Sequence, residues 1–517
     1  MRSRTVLECV GAALLLLFPF YLPLFTYQNH ILFFHGLPVT HLIGGLLVDL
    51  LFVFALLISL MVAAQYVAPS IRSSLDAMFA GIMLWGLLNS AIVVLSHLLN
   101  IDVRWLDIWK YSIIVVPIVM TLLVIYLPHI TEPAIRGIRL VTAAFAFSGL
   151  WIVPQLINIA MVRKATASPT PQYLVSKSSG GPSNRIVWIL FDELSYRQVI
   201  ADPVPGIKFP NFDQLNGRSF SFSNVKPFGY WTDRIIPSLL LGRQFDEFRS
   251  TIGGELWYKD ESTHRWFAYD PKDTLFGEAQ QNGWNTGVDG WFNPYCRFLA
   301  AVINRCYTSP PDVFPIEEYG ASEGKSSLSN SLALPIALFA PLIHQTSPPR
   351  DGHIQTYRNT MMHAQALIDD NNLQFVFLHL SVPHPPGIYD RQRHVLRRGG
   401  TYIDNLVLAD DTLGALIQEI RASSSFVRTT LIVSSDHSWR VPMWKSSEDW
   451  SSEEERASQG QFDDRPVLLI SFPGQQYKKK VDVDFPEMLE HDIIAEMLRG
   501  KISDPETLVE YISKHAH

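Results

Sequence analysis

Five apolar stretches crowd the first third of the chain, at about residues 6–27, 42–67, 76–98, 110–130 and 140–162. Each is close to the length an α-helix needs to cross a bilayer. The first lacks a small-residue cleavage site and is followed by further spans, so it reads as retained rather than as a signal peptide. A Ser/Pro/Gly/Thr-rich segment at about residues 163–184 then has linker chemistry. Beyond it the pattern changes to short apolar runs: Arg185–Phe191, Leu373–Leu380, Thr429–Ser435 and Val467–Phe472. Continuous runs of this length fit strands buried on both faces. Asp404–Arg421 instead places Leu406, Leu408, Leu413, Leu416 and Ile417 along one helical face. Strands alternating with helices predict an α/β domain with a mostly parallel central sheet over about residues 185–517. It follows a helical transmembrane bundle at about residues 1–162.

Lys and Arg in the short loops orient the bundle. With the N-terminus inside, Arg2, Arg4, Arg72, Arg136 and Arg139 lie on the cytoplasmic side, and Arg104 and Lys110 lie opposite. Arg163 and Lys164 narrow that margin. Five spans then predict a multi-pass inner-membrane protein whose catalytic domain is extracytoplasmic. Asp49, Asn89 and His97 fall within spans, and Asp49 is a candidate for a substrate or proton role. The alternative for each is a contact with a neighbouring helix.

Composition adds limits. A chain of 517 residues exceeds one ordinary domain, and a net charge of −7 gives no basis for nucleic-acid binding. Its 3 cysteines are too few for a disulfide scaffold. Cys9 lies in an apolar stretch. Cys296 and Cys306 can pair if their segment faces an oxidising compartment, or stay as free thiols.

Candidate chemistry gathers at the ends of the predicted strands, where open parallel sheets bind ligands. Asp192 and Glu193 follow the first run. Either can cap a helix, but adjacent carboxylates repel unless a cation compensates. Asp436 and His437 follow the third run and offer one oxygen and one nitrogen, a set suited to zinc, or to manganese with added water. Thr232 opens a helix-like stretch with Pro237 five residues on. A metal-bound hydroxyl there becomes a nucleophile, and a helix N-terminus favours an anion. Ser238 is the rival nucleophile and is assigned to capping or packing. His384, held by Pro383, Pro385 and Pro386, can contact a phosphate or act as a general acid; His379 is read as structural.

Taken together these residues resemble the alkaline phosphatase/sulfatase superfamily, in particular its membrane-anchored branch of phosphoethanolamine transferases and lipoteichoic acid synthases. The matching elements run in the family's order: Asp192-Glu193, Phe209-Pro210-Asn211-Phe212-Asp213, Thr232 with Pro237, Pro383-His384-Pro385-Pro386 and Ser435-Asp436-His437. The resemblance implies one divalent metal, zinc first and manganese or magnesium as alternatives, held by Glu193, Thr232, Asp436 and His437 with Asp192 as an additional ligand. It implies that Thr232 takes a phosphoethanolamine- or phosphoglycerol-type head group from a phospholipid donor and passes it to an envelope glycan or lipid. His384 would bind the transferred phosphate. Trp291, Asn293 and Arg297 form a candidate substrate wall, or a structural segment. Two other readings stay open: a hydrolase of phosphate or sulfate esters using the same site, and a non-catalytic glycan binder. The Cys/Ser-x-Pro-Ser-Arg motif of formylglycine sulfatases is missing, so that route to sulfate-ester hydrolysis is not expected. Asp192-Glu193-Leu194 stands where the transferases carry Gly-Glu-Ser.

Overall fold

The computed structural model of the chain describes residues 3–18, 21, 39–99, 109–161, 182–250, 256–293, 295–309, 350–447, 450–459 and 461–516. The N-terminal part is helical: α1 (Ser3–Leu16), α2 (Val39–Ala63), α3 (Pro69–Leu99), α4 (Trp109–Tyr126), α5 (Pro128–Phe145) and α6 (Gly149–Met161). Among the described residues 3 segments are long and apolar enough to cross a membrane: Leu46–Tyr66, Ile71–Ile92 and Thr131–Asn158. These overlap the second, third and fifth of the expected stretches. Residues 19, 20 and 22–27 of the first lie outside the described residues, and α4 carries the shorter apolar segment Ile114–Val124. The last begins further upstream than expected, because α5 continues through one turn into α6.

Leu51, Leu56 and Leu60 on α2, and Leu150 and Trp151 on α6, point outward. Apolar side chains on the outside of long helices match a lipid surrounding, so these helices fit membrane anchoring. Their charged groups meet one another. Glu8 of α1 is buried and takes Arg139 of α5 at 2.6 Å and Arg4 at 3.0 Å, while Arg139 also reaches Asp76 of α3 at 3.4 Å. Asp49 is buried in α2, and neither of its oxygens has a hydrogen-bond partner among the described residues. Asn89 has a partner, and the side chain of His97 lies outside the described ones.

The second part is built on an 8-stranded sheet. Its strands are β1 (Arg185–Asp192), β2 (Phe220–Phe222), β3 (Thr286–Trp291), β4 (Arg305–Ser309), β5 (Phe375–Pro383), β6 (Thr429–Ser435), β7 (Leu468–Ser471) and β8 (Lys479–Val481). They lie in the order β8-β2-β7-β6-β1-β5-β3-β4. From β6 to β4 every neighbour is parallel; β7 runs against both β6 and β2. The expected run at Val467–Phe472 is thus a strand of reversed direction. A buried apolar run specifies burial, not polarity.

β1 is the centre of the core. Val187, Ile189 and Phe191 pack on one face with Leu406, Leu413 and Leu416 of α9 (Tyr402–Ala422). Ile186, Trp188 and Leu190 pack on the other with Ile493 and Ile494 of α10 (Leu489–Leu498). Burying each such side chain contributes about 1.5–3 kcal/mol. Helix α9 starts at a capping box, Thr401 with Asp404. From its buried face Asp410 accepts the backbone amides of Asn211 and Phe212 at 3.1 and 2.8 Å. The Pro-Asn-Phe-Asp stretch noted in the sequence is therefore the start of a short helix, Pro210–Asn216, capped from another element.

Glu490 at the head of α10 is buried beside Trp188 and Ser434, and burial pushes its carboxyl up to about 8. Glu487 is raised well above the usual range by burial and then by the Glu490 charge. Such groups keep their protons when folded and lose them on unfolding at neutral pH. Their stabilising effect is complete below the unfolded value of 4.5 and is lost as pH rises through about 8. The melting temperature is expected to fall between about pH 4.5 and pH 8. Glu490→Gln should flatten that fall, and an unaltered slope in a pH series of melts would contradict the assignment.

Candidate active site

Four neighbouring parallel strands, β6, β1, β5 and β3, end on the same edge of the sheet and deliver the site. Asp192 closes β1 and Glu193 follows it with a left-handed φ of 68°. Asp436 and His437 follow β6; His379 lies on β5, and His384 comes directly after it. Trp291 closes β3 and Asn293 follows. Thr232 enters from helix α7 (Thr232–Leu241). Trp231 is extended, and its carbonyl accepts the amides of Arg234 and Ile235, both at 2.9 Å. The hydroxyl of Thr232 thus sits in the first turn, at the positive end of the helix.

The side chains converge. Thr232 Oγ1 donates to Asp436 Oδ2 at 2.7 Å and lies 3.4 Å from His437 Nε2. His437 Nε2 is 3.3 Å from Asp436 Oδ2 and 3.8 Å from Asp192 Oδ1. All four residues are buried. His437 Nδ1 lies 3.0 Å from the Ser438 carbonyl, and donating there leaves the Nε2 lone pair aimed into the cluster. Burial pushes this imidazole down to about 3, so it stays neutral. Neither oxygen of Asp192 has a hydrogen-bond partner among the described residues. Burial, and then the Asp436 charge, raises its carboxyl well above the ordinary range. Asp436 is likewise raised by burial.

These residues fit a divalent cation. Two buried carboxylates, one with both oxygens orphaned, together with a neutral imidazole and a hydroxyl, form a donor set that a cation satisfies at a stroke. Tetrahedral ligands at about 2.0–2.1 Å from an ion lie about 3.3 Å apart. The distances within the cluster run from 2.7 to 3.8 Å.

His379, read from the sequence as structural, also belongs here. Its Nε2 is 3.8 Å from Asp192 Oδ2 and has no hydrogen-bond partner among the described residues, while Nδ1 lies 2.7 Å from the Tyr295 hydroxyl. With Asp192 and Asp436 it offers ligand atoms all within 4.8 Å of one another. Burial pushes it down to about 4. Gly290 makes room for this arrangement, because a Cβ there would meet the Tyr295 ring at 2.1 Å.

Glu193 has other partners. Its Oε1 accepts from the Arg440 amide at 2.7 Å, from Arg440 Nε at 3.2 Å and from Trp444 Nε1 at 2.7 Å; Oε2 accepts from Arg440 Nη2 at 3.0 Å. Oε2 also lies 3.8 Å from His384 Nε2, so Asp192, Glu193 and His384 form a second grouping of ligand type. The hydrogen bonds weigh more, because four donors already occupy this carboxylate. His384 stands edge-on between Trp291, at 5.1 Å, and Trp444, at 5.3 Å. Burial and the Arg440 charge hold its imidazole well below the ordinary range.

Of the predicted wall, Trp291 is buried, and its Nε1 has no hydrogen-bond partner among the described residues. Asn293 is buried and donates to the Thr232 carbonyl at 3.4 Å. The side chain of Arg297 lies outside the described ones. Ser238 is fully buried further along α7. Cys296 and Cys306 are joined in a disulfide that ties the segment after Asn293 to β4.

The sulfatase family model matches residues 184–498, more than half of the chain. The chain belongs to the sulfatase family. No curated protein matches it. Among solved structures it is similar to Ps i-CgsB in complex with a neocarrahexaose, at 16% identity over 63% of this chain and 73% of that one, with a TM-score of 0.39. It is also similar to an alkaline phosphatase superfamily protein from Vibrio parahaemolyticus, at 13% identity over 62% and 67%, with a TM-score of 0.36. A third is the lipoteichoic acid synthase LtaP from Listeria monocytogenes, at 13% identity over 63% and 73%, with a TM-score of 0.33.

Within this sulfatase-family site the structure brings together Asp192, Thr232, Asp436 and His437 as one cluster, with Glu193 and His384 at its rim. Sequence reasoning missed His379, Arg440 and Trp444. A signal existed for two of them. His379 is the one ionisable residue in the apolar run of β5, and Arg440 follows His437 by three positions.

Proposed function

We propose that the chain is a membrane-anchored, metal-dependent phosphotransferase with Thr232 as nucleophile. The observation that carries this reading is the hydroxyl of Thr232, buried 2.7 Å from Asp436 Oδ2 and 3.4 Å from His437 Nε2 at the head of a helix. Asp192, Asp436, His437 and Thr232 would hold one divalent ion, with His379 adjacent; zinc suits this nitrogen and oxygen set best, and manganese or magnesium are the alternatives. When bound, the ion lowers the pKa of the hydroxyl and offsets charge on a phosphoryl group.

The residues do the rest. Asp436 takes the hydroxyl hydrogen bond and aims the oxygen. Thr232 gives up its hydroxyl proton as Oγ1 bonds to phosphorus and the phosphorus–oxygen bond to the diacylglycerol breaks, and the departing oxygen takes up one proton in exchange. An acceptor hydroxyl next bonds to phosphorus, the Thr232 ester breaks and Thr232 recovers a proton. His384, neutral and largely buried, is placed to hydrogen-bond the transferred group. Trp291 Nε1, buried without an acceptor among the described residues, supports a binding role on the same wall. Glu193 is assigned to holding Arg440 rather than the ion.

The donor is a phospholipid with a phosphoethanolamine- or phosphoglycerol-type head group, and the acceptor is an envelope glycan or lipid. The enzyme sits in the inner membrane with its catalytic domain outside the cytoplasm. The disulfide supports that side, and the meeting of Arg4, Asp76 and Arg139 at one place supports the grouping of those residues in one compartment. Intact-protein mass spectrometry after incubation with membrane lipids tests the reading. A head-group adduct on Thr232 is expected, and its absence with every phospholipid supplied would defeat the proposal. A hydrolase with the same site would release free head group, whereas transfer leaves diacylglycerol and a modified acceptor.

A further inference from the structure

Three aromatic rings stand exposed at the mouth of the site. Among the described residues Trp231 is 52% exposed, Tyr230 39% and Phe462 38%. They are not loose. Tyr230 and Phe462 meet edge to face at 5.5 Å, and the Arg440 guanidinium lies 5.7 Å from the Trp231 ring. Arg440 Nη1 also donates to the Tyr230 carbonyl at 3.2 Å. Ser438, next to His437, donates to the carbonyl of Asp463, next to Phe462, at 2.6 Å. The rings are thus set in place by the residues that flank the metal cluster. Exposed aromatics already fixed in position offer a large contact area at small entropic cost.

The polar groups among them have mixed sign. Arg440 is paired with Glu193, Asp463 is paired with Arg465 at 2.5 Å, and Asp464 follows. An acyl chain needs a continuous apolar groove, which this alternation interrupts. An anionic bilayer surface would be opposed by Asp463 and Asp464. A pyranose ring presents an apolar C–H face for stacking and a rim of hydroxyls for charged side chains.

We propose that Tyr230, Trp231 and Phe462 form a platform for a neutral sugar ring of the acceptor, holding its hydroxyl toward Thr232. This rests on the transfer reading and narrows its acceptor to a glycan. The test uses the full-length protein in detergent micelles, with cellohexaose and chitohexaose as probes and calorimetric titration as readout. Saturable binding of at least one hexasaccharide is expected, about tenfold weaker in Trp231→Ala and less affected in Trp231→Phe. Phe462→Leu should weaken it too. Wild-type metal content in each variant guards against misfolding. Binding of neither sugar by the wild type, or equal binding by Trp231→Ala, overturns the platform. Turnover of bis-p-nitrophenyl phosphate by the wild type is scored separately. Sugar binding without that turnover counts against the transfer reading and leaves the platform standing, and turnover without sugar binding does the reverse.

Discussion

Thr232→Ala is expected to lower turnover of any phosphodiester substrate by about ten-thousandfold or more, the scale on which removing a nucleophile acts. The protein should remain folded. The methyl group left behind fits the same space, and Asp436 keeps the amide hydrogen bonds from Glu193 and His437, at 3.1 and 2.9 Å. Thr232→Ser should retain part of the activity, because it keeps the oxygen. Rates and intact mass measured on the same samples provide the check. Near wild-type turnover by Thr232→Ala would remove the hydroxyl from the mechanism and return the reading to a water-based reaction.

The second large effect concerns the metal. Asp192→Asn or Asp436→Ala removes one of four donors. If a structural-strength site is worth roughly 10–16 kcal/mol, one donor accounts for about 3–4 kcal/mol, or about a hundred- to a thousandfold in affinity. Elemental analysis after purification should then find the ion depleted in both variants. Glu193→Gln should behave differently. Its oxygens already accept from Arg440 and Trp444, so the ion is expected to stay while activity falls. Loss of metal in Glu193→Gln comparable to that in Asp192→Asn would make Glu193 a ligand after all.

Much of this domain could be read from the chain. The runs that became β1, β5 and β6 are short, apolar and uninterrupted, and in a parallel sheet with both faces covered nothing else satisfies them. Because their carboxyl ends are adjacent, Asp192 and Asp436 meet although 244 positions separate them in number, 436 minus 192. What stayed hidden depended on contacts made only after folding. The reversed direction of β7 left no trace in its composition. His379 looked like a packing residue, because a histidine within a hydrophobic run usually is one. Its role depends on β1 bringing Asp192 alongside it. The place of Arg440 three positions after His437 hinted at the site, but its pairing with Glu193 emerged only once β1 and β6 lay side by side. In the helical part, hydropathy found the apolar stretches but divided the last of them differently from the fold, which carries α5 through a turn into α6.

The first helix shows how closely that part is fitted together. A Cβ on Gly11 would fall 1.8 Å from the Thr142 carbonyl, so the backbones of α1 and α5 touch where Glu8 and Arg139 join. Trimming those opening residues, as one trims a tag, would open a slot along α5 and leave the Arg139 guanidinium with a single, longer-range companion in Asp76. A shortened version lacking them should therefore be recovered poorly from membranes into detergent, whatever becomes of its C-terminal half.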